Sequence, residues 1–154
     1  MSRNGKWFEE HVASLVVDWH GERYNSISKK EYDEFVDKTN RLVSQYPYVT
    51  LYGYYETSSF GRLDFYLNLA NVHHYIEVKW QEHPGTTDEK LVYALHNMKN
   101  MLLDDNHDVV KKIIVVGGDG YRQGALAYLK EHAGEVSIMD DNEFSLYIES
   151  LKKE

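Results

Sequence analysis

Two neighbouring apolar-rich stretches, residues 60–69 and 72–81, constrain the fold of this chain more than any other part of its sequence. They read FGRLDFYLNL and VHHYIEVKWQ, and only Ala70 and Asn71 separate them. Runs of this length rich in aromatic and β-branched residues predict two strands, and a two- or four-residue connection predicts an antiparallel hairpin. In the register in which Leu69 pairs with Val72, Asp64 lies directly opposite Glu77.

Strand geometry then predicts how the charged residues of this hairpin are arranged. Side chains alternate along a strand, so Glu77 and Lys79 project from one side and Ile76 and Val78 from the other. Like charges facing each other across two strands destabilise a sheet, so Asp64 and Glu77 are expected to share a cation. The pattern predicts a divalent-metal site with an ammonium group beside it. The alternative is an ordinary ion pair between Glu77 and Lys79, worth roughly a few tenths of a kcal/mol.

Length and composition indicate one globular domain over residues 1–154. The 154 residues suffice for a hydrophobic core, and 42% of them are hydrophobic. There is no cysteine, which excludes disulfides and thiolate metal sites and suits a reducing compartment. The N-terminus lacks the apolar core of a signal peptide, and no apolar run approaches the length of a membrane span. We expect a soluble, cytoplasmic protein without a membrane partner.

The net charge of −8 argues against an extended nucleic-acid-binding surface. It does not exclude a local one, because phosphate contacts depend on the charge at the contact and not on the total. Acidic residues collected in an active site or on a remote surface would lower the total in the same way.

Before the hairpin, periodicity predicts two helices and a strand. Apolar residues at helical spacing predict an amphipathic helix over residues 5–19, on which Glu9 and Glu10 read as solvated acids. Residues 20–27 read as a loop. A capping box at Ser28–Glu31 predicts a second helix that carries Leu42 and Val43 and ends near Tyr46-Pro47. A strand over residues 48–56 and a turn over residues 57–59 follow.

After the hairpin, helices and strands alternate. The predicted elements are a helix that starts near Thr86 and ends near Asp104, a buried strand at 109–116, a helix at 121–132, a strand at 135–139 and a last helix capped by Asp140 and Glu143. The order α-α-β-β-β-α-β-α-β-α predicts an α/β fold with a mixed sheet of about five strands and helices on both faces.

Other candidate chemistry in the sequence has simpler explanations. Residues 117–120, Gly-Gly-Asp-Gly, follow a strand and precede a helix, as phosphate-binding loops do, but they lack the spacing and the lysine of such a loop. A tight turn is the better interpretation. His73 and His74 fall on opposite faces of their strand and cannot share one metal ion, so we expect one surface and one packed histidine.

The acid on a hairpin strand followed by an apolar-flanked Glu-x-Lys resembles the PD-(D/E)XK nuclease superfamily, which has the restriction-endonuclease-like fold. The signature here is Leu63-Asp64, twelve intervening residues, and Glu77-Val78-Lys79. Leu63 stands where a proline is usually written. The segment Phe8–Val12 is similar to a helix motif of these nucleases, and residues 85–90 are similar to the segment after their catalytic strand. The resemblance covers roughly residues 5–140.

The resemblance implies a Mg²⁺ ion, with Mn²⁺ as a substitute, acting as a Lewis acid on a phosphodiester. Its implied ligands are Asp64, Glu77, the backbone carbonyl of Val78 and Glu9. Lys79 would orient or help deprotonate the attacking water, and Gln81 would be a further polar residue of the site. Arg62 and Lys90 would contact phosphate.

The implied activity is that of an endonuclease on double-stranded DNA, of restriction, homing or junction-resolving type, from a prokaryote or phage. One site per chain and two strands to cut imply a homodimer. Two alternatives stay open: an RNA-directed nuclease, and a catalytically inactive nuclease-like module that only binds. The presence of Asp64, Glu77 and Lys79 together argues against the inactive module.

Overall fold

The computed structural model describes residues 4–17, 22–25, 41–52, 57–81, 87–99, 110–118 and 123–152. The helices are α1 (Gly5–Val17), α2 (Thr87–Lys99), α3 (Gln123–Glu131) and α4 (Asp141–Lys152). The strands are β1 (Glu22–Asn25), β2 (Arg41–Tyr52), β3 (Thr57–Leu69), β4 (Val72–Trp80), β5 (Val110–Gly117) and β6 (Val136–Asp140). None of the helices in the described ranges is both long enough and apolar enough to cross a membrane.

The strands form one mixed sheet in the order β1-β2-β3-β4-β5-β6. Neighbours β2, β3 and β4 are antiparallel, whereas the pairs β1–β2, β4–β5 and β5–β6 are parallel. The predicted α/β class with a mixed sheet is confirmed, with the short edge strand β1 added to the five predicted strands.

Helices cover both faces of the sheet, as predicted. One face, called the α2/α3 face below, packs its strands against α2 and α3. Its buried residues include Tyr66, Tyr75, Ile114, Leu91, Leu95, Met98 and Leu129. The other, the α1/α4 face, packs against α1 and α4 through Phe65, Ile76, Val115, Phe8, Val12, Phe144 and Ile148. Each fully buried side chain of this size contributes about 1.5–3 kcal/mol, so the two layers hold the sheet rigidly between them.

The predictions for the first half of the chain are partly wrong. Residues 22–25, predicted as a loop, form β1 and pair in parallel with residues 41–44. Leu42 and Val43, predicted on a helix, are buried on opposite faces of β2. Residues 57–59, predicted as a turn, begin β3 and pair with β2. In each case pairing with another strand decides the structure, and the pattern of residues within each segment does not reveal that partner.

The predictions for the second half agree closely with the structure. Helices α2, α3 and α4 and strands β5 and β6 lie within a few residues of their predicted positions. The capping box of α4 is present: the N–H of Glu143 donates to Asp140 Oδ1 at 2.7 Å, and the N–H of Asp140 donates to Glu143 Oε1 at 3.3 Å. The predictions for residues 18–21, 26–40, 53–56, 82–86, 100–109 and 119–122 lie outside the described residues.

A two-residue turn joins β3 to β4. Ala70 and Asn71 both have positive φ angles, 54° and 64°, as a type I′ turn requires. Leu69 therefore pairs with Val72, and the predicted register continues to the pair Phe65 and Ile76. This short turn fixes which residues of the two strands meet at the other end of the ladder.

Candidate active site

Strands β3 and β4 separate at the acidic residues. Their ladder ends at Phe65 and Ile76. Beyond that point β4 remains paired with β5 up to Trp80 and Gly117, while β3 remains paired with β2. The next residues along the two strands are Asp64 and Glu77, which therefore lie where the sheet opens.

The two acids bond to each other's backbone across the opening. The N–H of Asp64 donates to Glu77 Oε1 at 3.1 Å, and the N–H of Val78 donates to Asp64 Oδ2 at 2.8 Å. These two side-chain bonds take the place of the backbone ladder that ends one residue earlier. The predicted juxtaposition of Asp64 and Glu77 is therefore present, and Glu77 lies on the same face of β4 as Tyr75.

Lys79 completes the group on the same face of β4. Its Nζ lies 3.6 Å from Glu77 Oε2. The Lys79 side chain is 31% exposed and that of Glu77 13% exposed, so the ammonium group is on the solvent side of the acid pair. Ile76 and Val78 point to the α1/α4 face, as the alternation of strand side chains predicts.

Burial raises the pKa of both carboxyl groups. For Asp64, desolvation raises the pKa, and the hydrogen bond from Val78 and the charge of Lys79 offset part of the rise. For Glu77, desolvation and then the charge of Asp64 raise the pKa to about 8. A single ammonium group does not compensate two buried carboxylates, so the pair holds a proton at neutral pH unless another cation is present.

The sequence matches the family model described as the PD-(D/E)XK nuclease superfamily domain over residues 2–153. The chain belongs to this superfamily. It is also similar to protein VC1899 from Vibrio cholerae, known from a crystal structure, with 18% identity and a TM-score of 0.49. That similarity covers 97% of this chain and 33% of VC1899, so the chain spans about a third of that protein's length. No curated protein sequence matches the chain significantly.

The acid pair of this PD-(D/E)XK protein suits a divalent cation. Carboxylate oxygens from Asp64 and Glu77 and the carbonyl of Val78 are hard ligands of the kind that Mg²⁺ prefers. A cation would also replace the proton that the raised pKa of Glu77 retains. Among the residues that the structure describes, no cluster of three or more His, Cys, Asp or Glu side chains occurs. The described side chains would thus supply two carboxylates to the ion. This suits a Mg²⁺ ion, which usually keeps water or phosphate oxygens in its remaining coordination positions.

The other predicted site residues of the PD-(D/E)XK domain are not all placed beside the acid pair. Glu9 is half-buried on α1, which covers the opposite face of the sheet from Lys79. Gln81 directly follows β4, is buried, and donates its backbone N–H to the carbonyl of Gly117 at 3.0 Å. Lys90 is exposed in the first turn of α2. Arg62 lies in β3 two residues before Asp64, and its side chain is outside the described part.

The sequence did not reveal the aromatic group that supports the end of β4. The ring of Trp80 lies 5.2 Å from that of Phe8 and 5.6 Å from that of Trp7, measured between centroids. A Cβ atom on Gly117 would lie 2.4 Å from Cζ of Phe8, so only glycine allows α1 to approach the end of β5 this closely. These residues pack directly behind the segment of β4 that carries Lys79.

The next residue, Gly118, has a different constraint. Its φ angle is +91°, and a Cβ atom there would lie 2.1 Å from the carbonyl oxygen of Gln81. Close packing between β5, α1 and the end of β4 therefore accounts for Gly117 and Gly118, whereas the other half of the predicted turn, residues 119–120, lies outside the described residues. A glycine pair at the end of a buried strand was the signal in the sequence.

His73 and His74 lie away from the acid pair and on opposite faces of β4, as predicted. His74 is fully buried and donates from Nδ1 to the carbonyl of Leu67 at 3.2 Å, so its Nε2 accepts the O–H of Tyr147 at 2.6 Å. Burial lowers the pKa of His74 to about 4, which keeps the ring neutral. His73 is half-buried and bonds to the hydroxyl of Tyr66. Both histidines have structural roles in this nuclease-like domain.

Proposed function

We propose that this PD-(D/E)XK protein is a Mg²⁺-dependent endonuclease that hydrolyses phosphodiester bonds in double-stranded DNA. The observation that carries the proposal is the acid pair at the diverging strands, with Lys79 Nζ 3.6 Å from Glu77 Oε2. A buried pair of like charges is costly in a sheet used only for structure. The same pair is useful where a divalent ion and a phosphate bind.

Each residue of the group has a proposed role. Asp64, Glu77 and the carbonyl of Val78 would hold Mg²⁺, or Mn²⁺ in its place, and Glu9 remains a predicted further ligand. The ion supplies Lewis-acid polarisation of the phosphate when it is bound. Lys79 orients the attacking water and compensates negative charge that develops on the phosphate, which requires a cation next to the acids. Gln81, Arg62 and Lys90 remain predicted contacts of the site and of phosphate.

The finer parts of the proposal concern substrate and assembly. We place one nuclease-like domain with one cleavage site over residues 1–154, and cutting both strands of a duplex calls for two such sites, as in a homodimer. The cysteine-free composition suits the cytoplasm, where we place the activity. The alternatives, an RNA substrate or an inactive binding module, are separate outcomes of the experiment below.

The test is cleavage by the purified chain with Mg²⁺ or Mn²⁺, using supercoiled plasmid, linear duplex DNA and duplex RNA. Lys79→Ala is the active-site variant, and Lys130→Ala on α3 is the matched control because Lys130 is an exposed lysine that is not among the proposed site residues. We expect nicked and linear plasmid from the wild type and from Lys130→Ala. Loss of the lysine should reduce the rate by about 10² to 10⁴.

Three results would contradict the proposal. Equal cleavage by wild type and Lys79→Ala would indicate a contaminant or another site. Cleavage of RNA alone would replace the DNA substrate. Binding without cleavage in either metal would favour the inactive module. Circular dichroism and light scattering on the same samples report folding and the expected dimer.

A further inference from the structure

Strands β2 and β3 remain paired with each other well beyond the rest of the sheet. Their ladder continues from Tyr46 and Leu63 to Tyr52 and Thr57. The neighbouring ladders stop earlier, because β1 pairs only with residues 41–44 and β4 only with residues 65–69. Within the described ranges no third strand pairs with residues 46–52 or 57–63. We call these two segments the β2–β3 arm.

The arm starts at the candidate active site and has the dimensions of a groove-binding ribbon. Leu63 directly precedes Asp64, so the arm leaves the sheet where the acid pair lies. Seven residues per strand at about 3.4 Å each give a length of about 24 Å, with the two strands about 5 Å apart. The major groove of B-DNA is about 12 Å wide and admits a two-stranded ribbon. An unsupported two-stranded ribbon is marginally stable in water, so docking on a partner would stabilise it.

The composition of the arm suits a polyanion. The segments read YPYVTLY and TSSFGRL and contain no Asp or Glu, although the chain has 25 acidic residues among 154. They contain one charged residue, Arg62, and seven hydroxyl-bearing side chains, which come from four Ser and Thr residues and three Tyr residues. The four linking residues carry one acid, Glu56. Guanidinium and hydroxyl groups are among the groups through which proteins contact phosphate and sugar.

We infer that the β2–β3 arm binds in a groove of duplex DNA and holds the duplex against the acid pair. The inference rests on the proposed function and adds to it the element that contacts the substrate beyond the cleavage site. Three features together favour DNA as the occupant: the continuity of the arm with Asp64, its acid-free composition in a chain of net charge −8, and the lack of a third strand paired with it among the residues that the structure describes. The contacts of such an arm are mainly to phosphate, so they add affinity and not sequence preference.

The test measures binding in the Lys79→Ala background, so that the DNA stays uncut. The probe is a fluorescein-labelled 20-base-pair duplex with Mg²⁺, followed by anisotropy at several salt concentrations. Arg62→Glu and Ser59→Glu alter the arm, Arg62→Lys is the conservative variant, and Lys130→Glu on α3 is the charge-matched control. We expect about tenfold weaker binding for the two acidic arm variants and no change for Lys130→Glu. Arg62→Glu should also lower the salt slope by about one, and Arg62→Lys should retain most of the affinity.

The outcomes separate this inference from the proposed function. If both acidic arm variants bind the duplex with wild-type affinity, the proposed role of the arm is wrong. Cleavage by the unmutated protein would in that case still support the proposed function. An altered monomer–dimer equilibrium with unchanged DNA affinity would make the arm a subunit contact and would also overturn it. If the unmutated chain neither binds nor cuts duplex DNA, the proposed function fails and the arm inference fails with it. Thermal unfolding of each variant checks that the sheet is intact.

Discussion

The backbone N–H of Asp64 donates to Oε1 of Glu77 at 3.1 Å, and this bond joins two acids that are thirteen residues apart in the chain. The reciprocal bond from the N–H of Val78 to Asp64 Oδ2 makes each acid part of the backbone bonding of the other strand. The acids therefore serve two purposes in the proposed function, since they join the two strands beyond the end of the ladder and bind the metal ion together. Substituting either one is expected to affect both stability and ion binding.

Glu77 should make the ion-free protein less stable as the pH rises from about 4.5 to about 8. Burial and the charge of Asp64 raise the pKa of Glu77 from an ordinary value of 4.5 to about 8. In that window the folded protein holds a proton that the unfolded chain has released, so the free energy of unfolding falls with rising pH. Over this pH range the free energy of unfolding should fall by roughly a few kcal/mol in total.

Urea unfolding in EDTA between pH 4.5 and 8.5 measures this effect. Glu77→Gln removes the titrating group and should flatten the pH dependence, leaving the variant more stable than the wild type near pH 8. Glu131→Gln, an exposed change on α3, should follow the wild-type curve. Parallel curves for wild type and Glu77→Gln would contradict the raised pKa.

Mg²⁺ binding should strengthen as the pH rises towards about 8. The ion and the proton compete for the same acid pair, so below the pKa of Glu77 binding must release about one proton. The affinity should then rise by about tenfold per pH unit between pH 6 and 7.5. Asp64→Asn should remove most of the binding because it deletes one of the two carboxylates. Titration calorimetry in two buffers of different ionisation enthalpy counts the released protons, and an affinity independent of pH would count against the shared site.

Gly117→Ala should destabilise the protein by about 1–3 kcal/mol and slow cleavage, because the new methyl group meets the ring of Phe8. Phe8→Leu removes the ring atoms in question, so the double variant should recover part of the loss. Gly124→Ala on α3 is the matched control: a Cβ atom there has no neighbour within 4 Å, and alanine favours a helix. Urea unfolding and cleavage rates for the four proteins of the cycle measure the coupling, and strictly additive losses would refute the contact.

Tyr147→Phe should destabilise the protein by about 1–3 kcal/mol, because it leaves Nε2 of the buried His74 without its hydrogen-bond donor. Tyr128→Phe removes a hydroxyl group from a ring that is 60% exposed and should have no effect. Both variants should retain wild-type kcat, since His74 lies on the α1/α4 face and away from the acid pair. Urea unfolding at pH 7.5 compares the two, and equal stability of both variants would show that the bond is unimportant.

The hairpin could be predicted because its information is local. The alternation of residues 72–80 and the connection at Ala70 and Asn71 can both be recognised from residues that are neighbours in the sequence. Together they determine the register. That register brings Asp64 and Glu77 close together just past the end of the ladder, and the alternation along β4 places Lys79 on the same face as Glu77. The resemblance to PD-(D/E)XK nucleases added the expected order of elements around it.

The errors lie where a distant partner decides the structure. Leu42 and Val43 are adjacent apolar residues that suit a helix or a strand, and only the pairing of β2 with β3 makes them a strand. Strand β1 is polar and is a strand because its backbone pairs with β2. The close contact of Phe8 with Gly117 joins the first helix to the fifth strand, and no local pattern indicates such a contact. The raised pKa of Glu77 likewise depends on burial that only the packed sheet provides.

The two-residue turn at Ala70 and Asn71 has a consequence for how relatives of this chain can diverge. Inserting a single residue there would shift the pairing by one and rotate one acid to the opposite side of the sheet, where helices α1 and α4 pack. Lengthening by two residues would preserve the facing arrangement. The connection can therefore change in length by an even number of residues without separating the two acids. A relative in which it changes by an odd number is expected to have lost the activity, unless a β-bulge restores the register.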